Sequence, residues 1–311
     1  MQLLSGNTNI NFMGKGKLAL SLSVLVLAGC VVSLLIRGMN LGLDFTGGSV
    51  IEVSYPASVE IPLVRDTLQK AGFGDAQTQH FGTSSEVLIR IPPRQGLTSA
   101  DLSNQVINAL KVMEGGAAVE MRRVEFVGPQ VGGELVEQGV LAMLIALLGI
   151  LIYVAFRFEW RLAVGTIAAT VHDVVFTVGV FSLLQIEFDL TVLAAVLAVI
   201  GYSVNDTVVV LDRIRENFRR MRKETTLEVM NSAINQTLSR TLMTSVTTLL
   251  AVIVLYFFGG PAMRGFSIAM IIGILVGTYS SIYIASATAL YLGVSREDLL
   301  PKAKAEVDGL P

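Results

Sequence analysis

The sequence holds a single cysteine, Cys30, two histidines, His80 and His172, and one tryptophan. One cysteine excludes an internal disulfide, and two histidines leave no ligand set for a dedicated zinc site or other metal cofactor. Charge is scarce as well: 15% of the 311 residues are charged and 52% are hydrophobic, whereas a soluble domain carries roughly a quarter charged residues. The net charge of −2 gives no reason to expect a nucleic-acid partner. What abounds is apolar. The mean hydropathy of +0.65 points to lipid rather than to a large soluble core.

Apolar runs near 20 residues long and free of Lys and Arg predict spanning helices. Six such runs occur, at 18–36, 139–156, 162–184, 190–211, 241–258 and 265–292. Backbone left unbonded in hydrocarbon is too costly to keep, so each run is expected to be helical. Basic residues set the orientation. Lys15 and Lys17 precede the first span, Arg157 and Arg161 separate the second and third, and residues 212–240 carry Arg213, Arg215, Arg219, Arg220, Arg222, Lys223 and Arg240. The tail, 293–311, adds Arg296, Lys302 and Lys304, while the connections on the other side hold only Arg264. Both termini, 1–17 and 293–311, are therefore expected in the cytoplasm, with residues 37–138 outward. Residues 212–236 read as one basic helix lying along the cytoplasmic leaflet.

Leu27-Ala28-Gly29-Cys30 has the look of a lipoprotein processing box, with Cys30 as the lipidated residue. The apolar run continues past it through Ile36 instead of giving way to a polar tether, so the first span is expected to be retained.

The outward segment alternates short elements. Residues 49–54, 77–81, 87–91 and 119–127 carry strand patterns, and 61–70 and 98–113 carry helical spacing, with Thr98 as a cap. The order β-α-β-β-α-β is the split pattern of ferredoxin-like α+β domains. Asp66, Asp75, Glu86, Asp101 and His80 assemble into no catalytic or metal set. Gly42-Leu43-Asp44-Phe45-Thr46-Gly47-Gly48 demands a specific backbone shape, either a tight helix-to-strand connection or a hinge.

Ionisable groups at membrane depth are candidates for function. His172 and Asp173 lie near the middle of the third span, with Gly165 and Ala169 on the same face as Asp173. Asn205 and Asp206 lie in the fourth span, about 9 Å below the cytoplasmic boundary at about 1.5 Å rise per residue. Arg240 opens the fifth span on the same side, and Thr244 follows one turn later. A carboxylate's proton affinity changes when a guanidinium approaches or withdraws, so Asp206 is a candidate proton carrier; a static buried pair is the alternative. Arg240 by itself also fits an ordinary cytoplasmic flank. In the sixth span Gly265, Ala269, Gly273, Gly277, Ser281, Ala285 and Ala289 form an i+4 row of small residues, a seam for another helix.

Several stretches together resemble the SecF branch of the SecD/SecF protein-export family. They are Gly42–Gly48 as quoted, Val124-Glu125-Phe126-Val127-Gly128-Pro129, Phe156-Arg157-Phe158-Glu159-Trp160-Arg161 and His172-Asp173. Gly201-Tyr202-Ser203-Val204-Asn205-Asp206-Thr207, Asp212-Arg213-Ile214-Arg215-Glu216-Asn217, Gln236-Thr237-Leu238-Ser239-Arg240-Thr241 and Phe258-Gly259-Gly260-Pro261 complete the set. The resemblance implies one half of a bundle of the resistance-nodulation-division (RND) superfamily, completed by SecD. It also implies a proton-driven role in preprotein export with SecYEG and YajC in the bacterial inner membrane, and it places Asp206 and Arg240 in the proton path. The alternatives are half of a small-molecule or lipid exporter, a passive scaffold, and an intramembrane hydrolase using His172 and Asp173. Against the hydrolase, neighbours on a helix point about 100° apart and no nucleophile with an obvious partner accompanies them at i+3 or i+4.

Overall fold

The computed structural model describes residues 8–94, 98–113 and 118–299; Lys302, Lys304 and the rest of the tail lie outside the described residues. Its helices in chain order are α1 (Gly16–Arg37), α2 (Leu43–Thr46), α3 (Ile61–Lys70), α4 (Ser99–Lys111), α5 (Pro129–Arg157), α6 (Trp160–Leu184), α7 (Leu190–Arg220), α8 (Thr226–Phe258), α9 (Arg264–Ser280), α10 (Ser286–Tyr291) and α11 (Arg296–Leu299). Six stretches are long and apolar enough to cross a membrane: α1, α5, α6, α7, α8 and the combined α9–α10. If all six cross, the residues before α1 and those after α10 share one side and the segment between α1 and α5 takes the other.

That segment folds as a four-stranded sheet. The strands are β1 (Gly48–Ser54), β2 (Gln77–Phe81), β3 (Thr83–Ile91) and β4 (Glu120–Val127), in the order β2-β3-β1-β4, every pair antiparallel. Ile51, Val53, Val87, Ile89 and Ile91 alternate onto one face and bury against Val64 and Leu68 of α3 and Val106 and Leu110 of α4. Thr98 caps α4 by accepting from the Asp101 amide at 3.2 Å. β3 starts at Thr83, four residues before its apolar pattern, because Gly82 at φ +83° allows an abrupt reversal that pairs Phe81 with Thr83.

Two further readings differ from the sequence expectation. α5 begins at Pro129 rather than 139. Proline is well placed at a helix start, and the first turns carry Gln130, Glu134, Glu137 and Gln138, too polar to count in an apolar run. The segment 212–236 is not one surface helix. α7 continues from the fourth span to Arg220, the chain turns over residues 221–225, and α8 then runs unbroken through the fifth span. Nothing between 212 and 220 breaks a helix, and Thr225 with Glu228 forms a reciprocal capping box that starts the next. The resulting hairpin buries Ile214, Phe218, Val229, Met230 and Ile234 together with Phe12 and Met13. Arg296 ties it down from the C-terminal side, donating to the Phe218 carbonyl at 3.1 Å.

The first span pairs with the third. Cys30 lies mid-helix in α1 and is buried, so close to Gly179 that a Cβ there would sit 2.3 Å from the Cys30 Cβ. The sixth span changes register at a π-turn over Ser281–Ala285. An i+4 row on an α-helix drifts about 40° per step. The wider π-turn counters that drift, and Ser281, Ala285 and Ala289 remain fully buried.

Candidate functional site

Two buried carboxylates lie in the bundle, and their surroundings differ. Asp173 on α6 is fully buried. Its Oδ1 meets His172 Nδ1 at 2.9 Å, while its Oδ2 accepts hydrogen bonds from Ser280 of α9 at 2.7 Å and from Ser203 of α7. Three spans are thus tied at one carboxylate. Adjacent side chains on a helix do reach each other here, because the carboxylate and the imidazole both turn toward their shared edge. The hydroxyls donate to Asp173 and not to the imidazole, so among the described residues no Ser–His pair of the kind used in nucleophilic catalysis forms here.

Asp206 lies on α7 three residues, or about one turn, beyond Ser203. It is 3% exposed, yet its Oδ2 is buried with no hydrogen-bond partner among the described residues. The hydroxyls of Thr207, the next residue on α7, and of Thr241 on α8 are also buried and unpartnered among the described residues. Leaving such an atom unpaired costs about 1–3 kcal/mol, and more for a charged group, which makes the Asp206 oxygen a candidate for a role other than stability. The Thr244 hydroxyl and the Arg240 guanidinium, both from α8, act on the Asp206 carboxylate. Arg240 itself is exposed on the flank of the bundle, and no ion pair joins it to Asp206 among the described residues. The antiparallel hairpin sets this geometry by laying the start of the fifth span along the terminal-side half of α7. Asn205 is exposed on a different face from Asp206, so the sequence-selected residues separate into two centres.

The small residues of the sixth span face α6 and α7. A Cβ on Gly273 would lie 2.1 Å from Val199, one on Gly265 2.8 Å from Val192, and one on Gly277 3.3 Å from the Ser203 Cβ. Ala269 is fully buried in the same contact. At the π-turn the Ala285 carbonyl oxygen would lie 2.5 Å from a Cβ on Gly165. This closeness brings Ser280 and Ser203 to Asp173. Sequence reasoning missed both serines, since hydroxyls are common in spans; the only signal was their position, one residue before Ser281 and three before Asp206.

At the opposite end of α7, Asp189 caps the helix, accepting from the Val192 amide at 2.8 Å. Asp44, from the glycine-bounded α2, accepts from the Leu190 amide at 3.0 Å. Gly47 and Gly48 have φ of +65° and +120°, a region closed to most side chains, and a Cβ on Gly48 would also lie 2.5 Å from the Ile91 carbonyl oxygen.

Residues 105–295 match the family described as Protein export membrane protein SecD/SecF, C-terminal, and residues 32–55 match the SecD/SecF GG Motif. The chain is 51% identical to the protein translocase subunit SecF of Vibrio alginolyticus, covering 100% of this chain and 99% of that one. It is 48% identical to SecF of Escherichia coli O157:H7, covering 99% and 95%. The crystal structure of SecDF from Thermus thermophilus, a translocon-associated membrane protein, superposes with a TM-score of 0.83 at 38% identity. That match covers 93% of this chain and 39% of the longer SecDF chain. A SecDF structure in a super-membrane-facing form gives a TM-score of 0.69 at 38% identity, covering 94% and 39%. Full-length SecF relatives favour a translocase subunit over a small-molecule exporter. The chain belongs to the SecD/SecF family of protein-export membrane proteins, as a multi-pass subunit of the SecF type.

Proposed function

We propose that this subunit completes a two-part RND bundle with SecD in the bacterial inner membrane and uses the proton-motive force to promote preprotein translocation and insertion. Both termini and the α7–α8 hairpin lie in the cytoplasm, where the basic residues concentrate. The ferredoxin-like domain is periplasmic and acts on preprotein leaving SecYEG, with YajC as a further partner. Asp206 is the proton carrier, with Arg240 and Thr244 beside it and Asn205 on the adjoining exposed face of α7. The observation that carries the reading is its oxygen, buried without a partner and within electrostatic reach of an exposed arginine on a neighbouring span.

The exposed face of α7 supports SecD as the partner. Ala194, Ala198, Gly201 and Asn205 form a stripe of small side chains there, and such stripes let another helix approach closely. A helix seated on that stripe would lie beside Asp206 and Arg240, where it can shift the guanidinium and with it the proton affinity of the carboxylate. One charge moved through the membrane potential supplies about 2.3 kcal/mol per 100 mV, enough for a modest cycle of the domain.

The test is preprotein export in cells carrying Asp206→Asn, with assembly checked by co-purification with SecD. An assembled complex whose export falls to the level of cells lacking the subunit supports the proton role. Unchanged export would make the carboxylate structural.

A further inference from the structure

The proton site and the periplasmic domain lie at opposite ends of α7, and a specific joint connects them. α7 starts at Leu190, 16 residues before Asp206, which is about 24 Å of helix. Its domain-side end is held in three ways. Asp44 accepts from the Leu190 amide. The chain just before α2 pairs with the α6–α7 turn as an isolated parallel bridge, Leu41 with Phe188. In that bridge the Phe188 amide donates to the Asn40 carbonyl at 2.8 Å, and the Gly42 amide donates to the Phe188 carbonyl at 2.7 Å. Finally, Arg90 of β3 forms an ion pair with Glu187 in the turn and donates through Nη1 to the Leu41 carbonyl at 3.1 Å.

Arg90 is the one side chain among these that belongs to the sheet. It stands opposite Val50 of β1, and the Arg90 and Glu187 side chains are 14% and 32% exposed. A cleft of about 290 Å³ beside it is lined by Asp44, Glu52, Glu125, Glu187 and Asp189, with Arg123 paired to Glu125, so carboxylates outnumber cations around Arg90. Burial pushes the Glu187 carboxyl up, Asp189 and Asp44 add to the rise, and Arg90 opposes it. Gly42 leaves the joint no slack: a Cβ there would lie 3.0 Å from the Asp189 Cβ and 3.2 Å from Glu187 Oε1.

We propose that Arg90 and Glu187 are positioning residues that clamp the domain to the end of α7, so that movement of the helix carrying Asp206 is delivered to the sheet. Without the clamp, displacement of α7 is absorbed in the α6–α7 turn. The inference rests on the proton-driven reading above. The two are separable, because a broken clamp uncouples the cycle while leaving the proton route whole.

The experiment uses the complex with SecD, in cells for export and in proteoliposomes for proton transfer under an imposed gradient. Arg90→Glu is expected to lower export about fivefold, the order carried by residues that couple two sites, while proton transfer stays within about twofold of wild type. The double variant Arg90→Glu/Glu187→Arg is expected to regain export. Unchanged export in Arg90→Glu, or proton transfer falling in parallel with export, would overturn the clamp. If Arg90→Glu does not assemble, Glu187→Gln, which keeps an acceptor of nearly the same shape, must show the same split or the proposal fails. Asp206→Asn is expected to lose both readouts; if it keeps both, the proton reading falls, while the charge swap still judges the clamp.

Discussion

Asp173 and Asp206 are both carboxylates buried in the same bundle, one turn apart along the contact between α6 and α7, yet they are held in opposite ways. Asp173 has partners on both oxygens, from three spans. Asp206 has an oxygen with none and an arginine that reaches it from a neighbouring helix without pairing. If Asp206 carries protons as proposed, hydrogen-bond satisfaction, and not depth in the membrane, is what sets it apart from Asp173. A fully bonded carboxylate resists change of its proton occupancy, whereas a partly bonded one responds to whatever moves beside it. The largest expected effect on this contrast is the loss of export in Asp206→Asn. The same change at Asp173 is expected to leave export within about twofold, because an amide oxygen still accepts the serine hydroxyls.

Stability should run the other way. Asp173→Leu removes three side-chain hydrogen bonds between or within spans. At the roughly 0.6 kcal/mol typical of such bonds inside membranes, the bundle is expected to lose about 2 kcal/mol. Asp206→Leu removes no bond to its unpartnered oxygen and is expected to change stability by less than about 1 kcal/mol. Denaturation of the purified complex in a detergent series reads both, and equal losses would erase the distinction.

The six spans were legible because lipid imposes a one-dimensional rule, a long apolar run, which needs no knowledge of neighbours. The domain's strands and helices were legible from alternation and spacing. What failed was local in cause: the polar stretch from Gln130 to Gln138 hid the first turns of α5, and the polarity of residues 212–236 disguised the ends of two spanning helices as one surface helix. The capping box at Thr225 and Glu228 was visible in the sequence and would have corrected it. Asp206 and Arg240 stood out by charge at depth. Ser203, Ser280 and the clamp of Arg90 on Glu187 could not be found, because a contact between residues 97 positions apart leaves no periodic trace.

A smaller effect tests what holds the Asp173 centre together. Gly165→Ala puts a methyl group 2.5 Å from the Ala285 carbonyl oxygen, which is backbone and can move only with the helix. The sixth span must then shift from α6, loosening Ser280 from Asp173. Overpacking of this kind costs about 1–3 kcal/mol. Gly149→Ala, where nothing lies within 4 Å, is the matched control and should be neutral. If both variants melt alike, close approach at the π-turn does not hold the centre.

The smallest effect asks whether an unpartnered buried oxygen is by itself a mark of function. Tyr55, at the end of β1 in the soluble domain, is 5% exposed and its hydroxyl is buried without a partner. Unlike Asp206 it lies outside the spans, and burial pushes its hydroxyl up to about 12 from 10.0, so it stays neutral wherever the cell operates. Tyr55→Phe removes the unpaired oxygen and keeps the ring, and is expected to leave export unchanged and stability within about 1 kcal/mol. The pH dependence has a definite sign. With the folded-state value above the unfolded one, wild type keeps the tyrosine's contribution below pH 10 and loses it as pH rises toward 12. The phenylalanine variant lacks that decline. Melting curves across this window decide it, and a loss of export in Tyr55→Phe would mean that an unpaired buried oxygen signals function in the domain as well as in the membrane.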